Sequence, residues 1–423
     1  MSASKIQSIE SRYSWWVAIA STLMITVAFG STYLVIVGLK PIAAEFGWPR
    51  QIPSAGYSAS LLGAGVGGIL MGLWSDRRGM AGPAVTGSIF VGLGLIAISQ
   101  SNSVITFLGA HLLILGLLGN GAMFSPLLTN VTHWFDRRMG IAVAIVSGGQ
   151  SLAGAIWPPI FRYAMEQYGW RDTMFAYALV CFAVLIPLSL VMRRPSPRMV
   201  RGGAATDKAE RTAQSGRRQP LVLGLPPNTA FALLCMAMVG CCVAMSIPMV
   251  HIVAYCSDLG FSAARGAEML SILLFSAFLS RLAYGWLADR IGGLKTLLLG
   301  SALQLLGLAC FMYVDSLKGL YLVSIFYGLG YGGIVPMYAI IIRQLFPDSQ
   351  AGWRIGVIFL FGTGGMALGG YLGGLIFDQT ATYRLAFLSG IGFNLCNLVL
   401  VGFMVQRHGK RGDGSGQLIP APA

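Results

Sequence analysis

The chain has 423 residues, of which 55% are hydrophobic and only 10% are charged, and its formal net charge is +14. A soluble globular domain carries about 25% charged residues. The composition therefore excludes an ordinary soluble domain and indicates that lipid is the solvent for most of the chain.

Twelve apolar segments follow one another along the chain, each near the roughly 20 residues that cross a bilayer as a helix. Many of the 56 glycines lie inside these segments, where small residues let neighbouring helices approach closely. We therefore predict an all-α integral membrane protein. Its predicted spans are 14–39, 54–75, 82–100, 104–131, 139–163, 173–192, 227–255, 268–288, 296–314, 319–342, 355–377 and 383–405.

A polar, basic stretch at residues 193–226 separates six spans from the other six. Its composition is typical of a mobile linker, and part of it could also lie on the membrane surface as a basic helix. The predicted organisation is an N-terminal six-helix bundle at 1–192, the linker at 193–226, a C-terminal six-helix bundle at 227–406 and a tail at 407–423.

Lysine and arginine are distributed unevenly between the two sides of the predicted membrane. Of the 29, 21 lie on the side that holds both termini and the linker, and 7 lie on the opposite side. The richer side is expected to be cytoplasmic, so we predict a multi-pass protein of the plasma (cell inner) membrane with both termini in the cytoplasm. The net charge expresses this topology and an attraction to membrane lipid, and it requires no nucleic-acid partner.

One eight-residue pattern occurs twice, as GLWSDRRG at 72–79 and as GWLADRIG at 285–292, and each copy closes an apolar span. The recurrence at half the chain length indicates a duplicated half. An Asp followed by Arg can bond neighbouring helix ends, and the Gly permits a tight turn. We interpret the pair as conformational latches; the alternative is ordinary charged helix ends. The latch residues are Gly72, Asp76, Arg77, Gly79, Gly285, Asp289, Arg290 and Gly292.

The repeated pattern resembles the loop motif of the major facilitator superfamily, whose twelve helices form two pseudo-symmetric six-helix bundles around a central cavity. The first copy lacks the trailing basic residues of that motif, whereas the second keeps Lys295. A narrower resemblance is to monocarboxylate transporters and their oxalate:formate antiporter relatives. It lies in WFDRRMGIAVA at 134–144, EFGW at 45–48 and GWRD at 169–172.

Arg281 is the one charged residue predicted to lie deep inside a span, eight residues, or about 12 Å along a helix, before Asp289. Holding an arginine there costs about 2.5–3.5 kcal/mol on insertion scales. All fifteen acidic residues fall in loops or near span ends, so a substrate carboxylate is the predicted partner. A guanidinium binds a carboxylate through two parallel hydrogen bonds. The alternative is that Arg281 bonds helix carbonyls and polar neighbours.

The resemblance implies the same role, because an arginine at this place in the eighth helix of that family engages the substrate carboxylate. The chain differs from the pattern of that family at two places. Ala277 stands where proton-coupled animal members have an acidic residue, and residues 355–377 lack the second basic residue of the oxalate exchanger. A single cation fits a monoanion better than a dianion.

Polar and aromatic residues inside other spans are further candidates for substrate binding. Tyr331 and Asn120 lie in glycine-rich parts of the tenth and fourth spans, which line the cavity in the superfamily. Tyr33 and Tyr284 are also candidates for substrate binding, although a buried tyrosine is more often a packed ring with a satisfied hydroxyl. His251 could carry a coupling proton, and a hydrogen-bonded structural histidine is the alternative.

These observations predict a secondary active transporter that moves small organic monocarboxylates, of the lactate or pyruvate type or aromatic, by alternating access with H⁺. Exchange of the oxalate:formate type, uniport and a membrane acid sensor without transport are the alternatives. A cation or drug exporter would normally use an intramembrane carboxylate. The sequence shows no metal-ligand cluster and no nucleophile paired with a base, so we expect no enzyme, no cofactor and no metal. We expect a monomer.

Overall fold

The computed structural model describes residues 10–197 and 221–412, and these are almost entirely helical. Within these ranges the only strand-like feature is an isolated bridge between Val222 and Leu225. Most of the predicted linker (198–220) and most of the tail (413–423) lie outside the described residues. Lipid cannot hydrogen-bond a backbone, so long apolar segments satisfy their peptide groups internally as helices.

The N-terminal half supplies the first six spans. The fourth span is not a regular α-helix, because it contains an eleven-residue π-helix at Ala110–Asn120. The helices are α1 (Arg12–Val37), α2 (Leu39–Phe46), α3 (Gln51–Arg78), α4 (Ala81–Ser99), α5 (Val104–Gly109), α6 (Gly121–Met123), α7 (Ser125–Thr132) and α8 (Met139–Leu190).

Helix α8 contains two spans rather than one. Gly169 has φ +79° and ψ 168°, a conformation that breaks the helix and that glycine adopts without a Cβ penalty. In the described residues, eleven helices are long and apolar enough to cross a membrane, and the longest, Ile141–Arg193, contains this break. Divided at Gly169, they give the twelve predicted spans.

The C-terminal half supplies the remaining six spans. Its tenth span is interrupted at Gly332 and Gly333, and its last helix continues beyond the predicted bundle boundary at residue 406. The helices are α9 (Pro227–Asp258), α10 (Ala263–Ile291), α11 (Gly293–Tyr313), α12 (Leu317–Tyr331), α13 (Ile334–Leu345), α14 (Asp348–Thr380) and α15 (Tyr383–Gly412).

The two halves pack against each other along two seams, α3 against α14 and α8 against α10. Helices α1 and α9 are the most buried, whereas the outer helices expose large apolar side chains such as Leu70 and Val399. Such exposed surfaces fit a lipid environment. Close approach depends on glycine: a Cβ on Gly328 would lie 2.2 Å from the carbonyl oxygen of Leu273.

At one face of the molecule, ion pairs join the two halves. We call Lys40, Arg50, Asp258 and Asp378 the clamp. Lys40 Nζ lies 2.6 Å from Asp258 Oδ1, and Arg50 forms a second ion pair with the same carboxylate. The backbone N–H groups of Arg50 and Gln51 donate to the Asp378 carboxylate at 2.9 and 2.7 Å. The clamp therefore also caps the N-terminus of α3 from the opposite half.

The repeated pattern lies at the other face, where α3 and α10 end. Gly79 and Gly292 have φ values of +84° and +86°, which allow the tight turn into the next helix. In the ranges that the structure describes, neither Asp76 nor Asp289 forms an ion pair, and the Arg290 guanidinium lies 3.8 Å from the Trp286 ring centroid. The ion pairs between the halves thus lie at the clamp, and within the described residues the latch carboxylates form none.

Candidate functional site

Arg281 projects from α10 to the seam between the two halves. Its Nε donates to the carbonyl oxygen of Gly332 at 3.2 Å, and its Nη1 donates to the carbonyl oxygen of Ser147 at 3.2 Å. The Gly332 carbonyl is accessible because the tenth span is interrupted there. Ser147 belongs to α8 in the N-terminal half. A single guanidinium therefore bridges the two halves through backbone carbonyls.

These two bonds leave most of the hydrogen-bonding capacity of Arg281 unused, since a guanidinium has five N–H donors. The six ion pairs found among the described residues do not include Arg281. These contacts are the ones expected from the alternative interpretation, in which Arg281 bonds helix carbonyls and polar neighbours. They coexist with a cation that has no carboxylate partner in the described part of the chain, so a bound anion remains compatible with this geometry.

Tyr33 and Tyr331 are brought together beside Arg281. Both side chains are buried, and Arg281 interacts electrostatically with both. The Tyr33 hydroxyl lies over Gly154 of α8, where an added Cβ would come within 2.5 Å of it. The tyrosines come from opposite halves of the chain, as do the two carbonyls bonded to Arg281. The site is therefore formed jointly by both halves.

Asn120 is buried on the N-terminal side of this group. Its Nδ2 lies 3.3 Å from the Ser31 hydroxyl, and its Oδ1 has no hydrogen-bond partner among the described residues. Asn120 is the last residue of the π-helix, a wider helical form that often occurs at functional sites. The amide thus offers an unused acceptor in the membrane interior.

Tyr284 does not join this group. Its hydroxyl donates to the carbonyl oxygen of Gly330, and its ring fills the space above Gly300 and Gly333 inside the C-terminal half. This is the packed-ring arrangement that was weighed as the alternative for buried tyrosines. We therefore leave Tyr284 out of the site.

His251 lies in α9 between the clamp and Arg281. Its Nε2 lies 2.9 Å from the carbonyl oxygen of Gly370, and its Nδ1 has no partner in the described residues. The ring centroid is 5.2 Å from that of Tyr383, and Arg50 of the clamp interacts with it electrostatically. His251 is fully buried, so water does not reach it in this conformation.

The sequence analysis missed two buried residues. Arg354, which precedes the predicted span 355–377, lies in α14 with 1% of its surface exposed, six residues from the start of that helix. Helix α14 begins earlier than predicted and carries Arg354 under the Phe346 ring, 4.3 Å from its centroid. Tyr57 in α3 is the second buried residue. The sequence marks it only indirectly, through the many glycines of α14, against which its ring packs.

Two helical halves around a shared intramembrane arginine, clamped at one face, define a polytopic membrane transporter. The sequence pattern of the Major Facilitator Superfamily matches residues 20–315 and 232–423. The chain belongs to the Major Facilitator Superfamily and is accordingly a multi-pass membrane transporter, not an enzyme.

The chain is also similar to individual members of the superfamily. Monocarboxylate transporter 13 of Bos taurus is 26% identical over 402 residues, which cover 90% of this chain and 87% of that protein. Monocarboxylate transporter 4 of Mus musculus is 25% identical over 413 residues, which cover 94% of this chain and 84% of that protein. A solved D-xylose-proton symporter superposes with a TM-score of 0.72 at 14% identity over 93% and 97% of the two chains, which shows the shared fold.

Proposed function

We propose that this transporter carries small organic monocarboxylates together with H⁺ by alternating access, and that Arg281 binds the substrate carboxylate. The observation that carries this proposal is the position of Arg281: an always-charged side chain at the seam between the halves, without a carboxylate partner among the described residues. Relatives named monocarboxylate transporters support the same substrate class.

Substrate binding exchanges weak partners of Arg281 for a strong one. In the structure, Arg281 donates to the neutral carbonyl oxygens of Ser147 and Gly332. A carboxylate adds a full negative charge opposite the guanidinium and binds it through two parallel hydrogen bonds, which a neutral carbonyl oxygen cannot do. An unpaired cation resists being sealed in a dry site, whereas an ion pair is less costly to enclose. The loaded carrier therefore changes conformation more readily than the empty one.

His251 is the proposed carrier of the coupling proton. It is a histidine, which titrates near neutrality when hydrated, and its Nδ1 has no hydrogen-bond partner in the described part of the chain. Opening the clamp moves Arg50, which repels a charged imidazole, away from His251 and admits water. Proton binding is thereby linked to the conformation in which the clamp is open.

We further propose that both termini are cytoplasmic in the plasma (cell inner) membrane and that a single chain is the transport unit. On this topology the clamp is extracellular, the latches are cytoplasmic, and the structure has its extracellular end closed. The latch residues then form their ion pairs in the opposite conformation, when the cytoplasmic ends of the helices meet.

The test is uptake of labelled lactate, pyruvate and benzoate into proteoliposomes under an inward proton gradient. Arg281→Gln is expected to reduce gradient-driven uptake at least 100-fold, since it removes the charge that holds the carboxylate. Arg343→Gln, at an exposed arginine of α13, is the matched control and is expected to transport normally. Uptake by Arg281→Gln equal to that of the control refutes the role of Arg281. Uptake that requires acid inside the vesicle instead of a proton gradient shows exchange.

A further inference from the structure

Tyr57 is a buried tyrosine whose hydroxyl has no hydrogen-bond partner among the described residues. Its side chain is 1% exposed, and its ring packs against Gly370 of α14, where an added Cβ would lie 2.8 Å from the ring. By contrast, the buried Tyr327 donates to the carbonyl oxygen of Ala244 at 3.0 Å. A buried hydroxyl without a partner is unfavourable, so the Tyr57 hydroxyl marks a place where a ligand group or a water molecule binds.

Tyr57 lies in the same region between the two halves as Arg281, but closer to the clamp face. Tyr57 lies at the seam between the halves, since its ring packs against Gly370 of α14, and Tyr33 and Tyr331 lie close enough to both Tyr57 and Arg281 to influence their charges. Tyr57 also lies six residues, or about 9 Å, from the start of α3 at the clamp face. Arg281 lies ten residues, or about 15 Å, from the end of α10 at the latch face. Tyr57 is therefore nearer the clamp face and Arg281 nearer the latch face, and Tyr33 and Tyr331 lie close to both.

We propose that Tyr57 is a second binding pole, whose hydroxyl hydrogen-bonds a polar group at the end of the substrate opposite its carboxylate. This inference rests on the proposed function, because Arg281 must hold the carboxylate. It assigns the substrate to elongated monocarboxylates with a distal hydroxyl or carbonyl group. Tyr33 and Tyr331, which lie close to both poles, offer aromatic side chains that favour a flat aromatic body, as in a hydroxybenzoate. Lactate carries its hydroxyl on the carbon next to its carboxylate and has no distal polar group, so we expect it to engage Arg281 alone.

The test compares two probes that differ by one hydroxyl, benzoate and 4-hydroxybenzoate, with lactate as the short probe. Binding to the purified full chain is measured for wild type, Tyr57→Phe and Arg281→Gln. Wild type is expected to bind 4-hydroxybenzoate about tenfold more tightly than benzoate, and Tyr57→Phe is expected to bring that ratio to about one. Phenylalanine keeps the ring on Gly370, and the thermal midpoint of each variant checks that it is folded. Tyr327→Phe, which removes an internally bonded hydroxyl, is the matched control and keeps the wild-type ratio.

Each result distinguishes this inference from the proposed function. A preference for 4-hydroxybenzoate that survives in Tyr57→Phe overturns the role of Tyr57. Equal binding of both aromatic acids by wild type, or binding of lactate alone, also overturns it. In those cases the proposed function stands if Arg281→Gln abolishes the binding. Binding that is unaffected by Arg281→Gln removes the proposed function and the inference together.

Discussion

Single polar residues near the membrane surface are stabilised by partners on neighbouring elements. Glu45, at the end of α2, accepts hydrogen bonds from Arg171 Nε at 2.8 Å and from the Trp170 indole. Burial raises the pKa of Glu45, but the bonds from Arg171 and Trp170 outweigh that effect, so its pKa lies below the ordinary value of 4.5. The carboxylate form thus stabilises the fold by tying α2 to the turn at Gly169.

Glu45→Gln is therefore expected to lower the stability by about 0.5 kcal/mol at pH 7, a small value because the side chain is partly exposed. The folded pKa is depressed, so the stabilisation is present above pH 4.5 and is lost as the pH falls through the folded pKa. Thermal midpoints in detergent at pH 7 and pH 3.5 measure this. Glu166→Gln, whose partner Arg162 lies on the same helix, is the control. If Glu45→Gln lowers the thermal midpoint by the same amount at both pH values, the prediction is contradicted.

At the residue scale, the sequence predicts Arg281 because charge inside an apolar span is conspicuous. Polarity inside apolar spans likewise predicts Tyr33, Tyr331 and Asn120 as candidates, and all three side chains are buried. It could not separate them from Tyr284, since a tyrosine in a span looks alike whether its hydroxyl meets a backbone carbonyl or a ligand. That difference depends on the packing of neighbouring helices.

At the scale of helices, glycines set the distance between neighbours. Gly67 of α3 faces the π-helix, and an added Cβ would lie 2.1 Å from the carbonyl oxygen of Leu117. Such a distance is far below van der Waals contact, so the two backbones touch. The sequence predicts this span from its hydrophobicity, but it does not reveal the π-helix, whose backbone lies against Gly63 and Gly67 of α3.

Gly67→Ala is expected to destabilise the protein by about 2 kcal/mol, because the helices must separate to admit the methyl group. Gly364→Ala is the matched control: it lies inside α14, and no heavy atom lies within 4 Å of its added Cβ. Thermal unfolding of both variants in detergent measures the difference. Equal midpoints for the two variants would show that α3 and the π-helix are not in close contact.

For the whole molecule, the clamp decides which end is closed. Asp258 is the centre of the clamp, because Lys40 and Arg50 of the opposite half both pair with it. The number of spans and the two halves were predictable from hydrophobicity and the repeated pattern. The conformation was not, since inter-half ion pairs join residues more than 200 positions apart and belong to one of two states of the same sequence.

Asp258→Asn is expected to shift the equilibrium toward the clamp-open conformation by about 1–2 kcal/mol, or roughly tenfold. Spin labels at Tyr168 and Tyr313, two exposed positions in different halves, report the distance between halves after Cys310 and Cys396 are replaced. The population with the longer distance is expected to increase. Asp315→Asn, which removes an ion pair with Arg384 inside one half, is the control. An identical distance distribution for Asp258→Asn and the control refutes the clamp.

The central claim is that Arg281 recognises a carboxylate. The most direct measurement is equilibrium binding of lactate, pyruvate, benzoate and 4-hydroxybenzoate, each beside its neutral amide, to the purified protein and to Arg281→Gln. We predict that at least one acid binds wild type more than 100-fold more tightly than its amide, and that Arg281→Gln abolishes this preference. A preference for the acid that persists in Arg281→Gln, or wild-type binding that does not distinguish acid from amide, would contradict the claim.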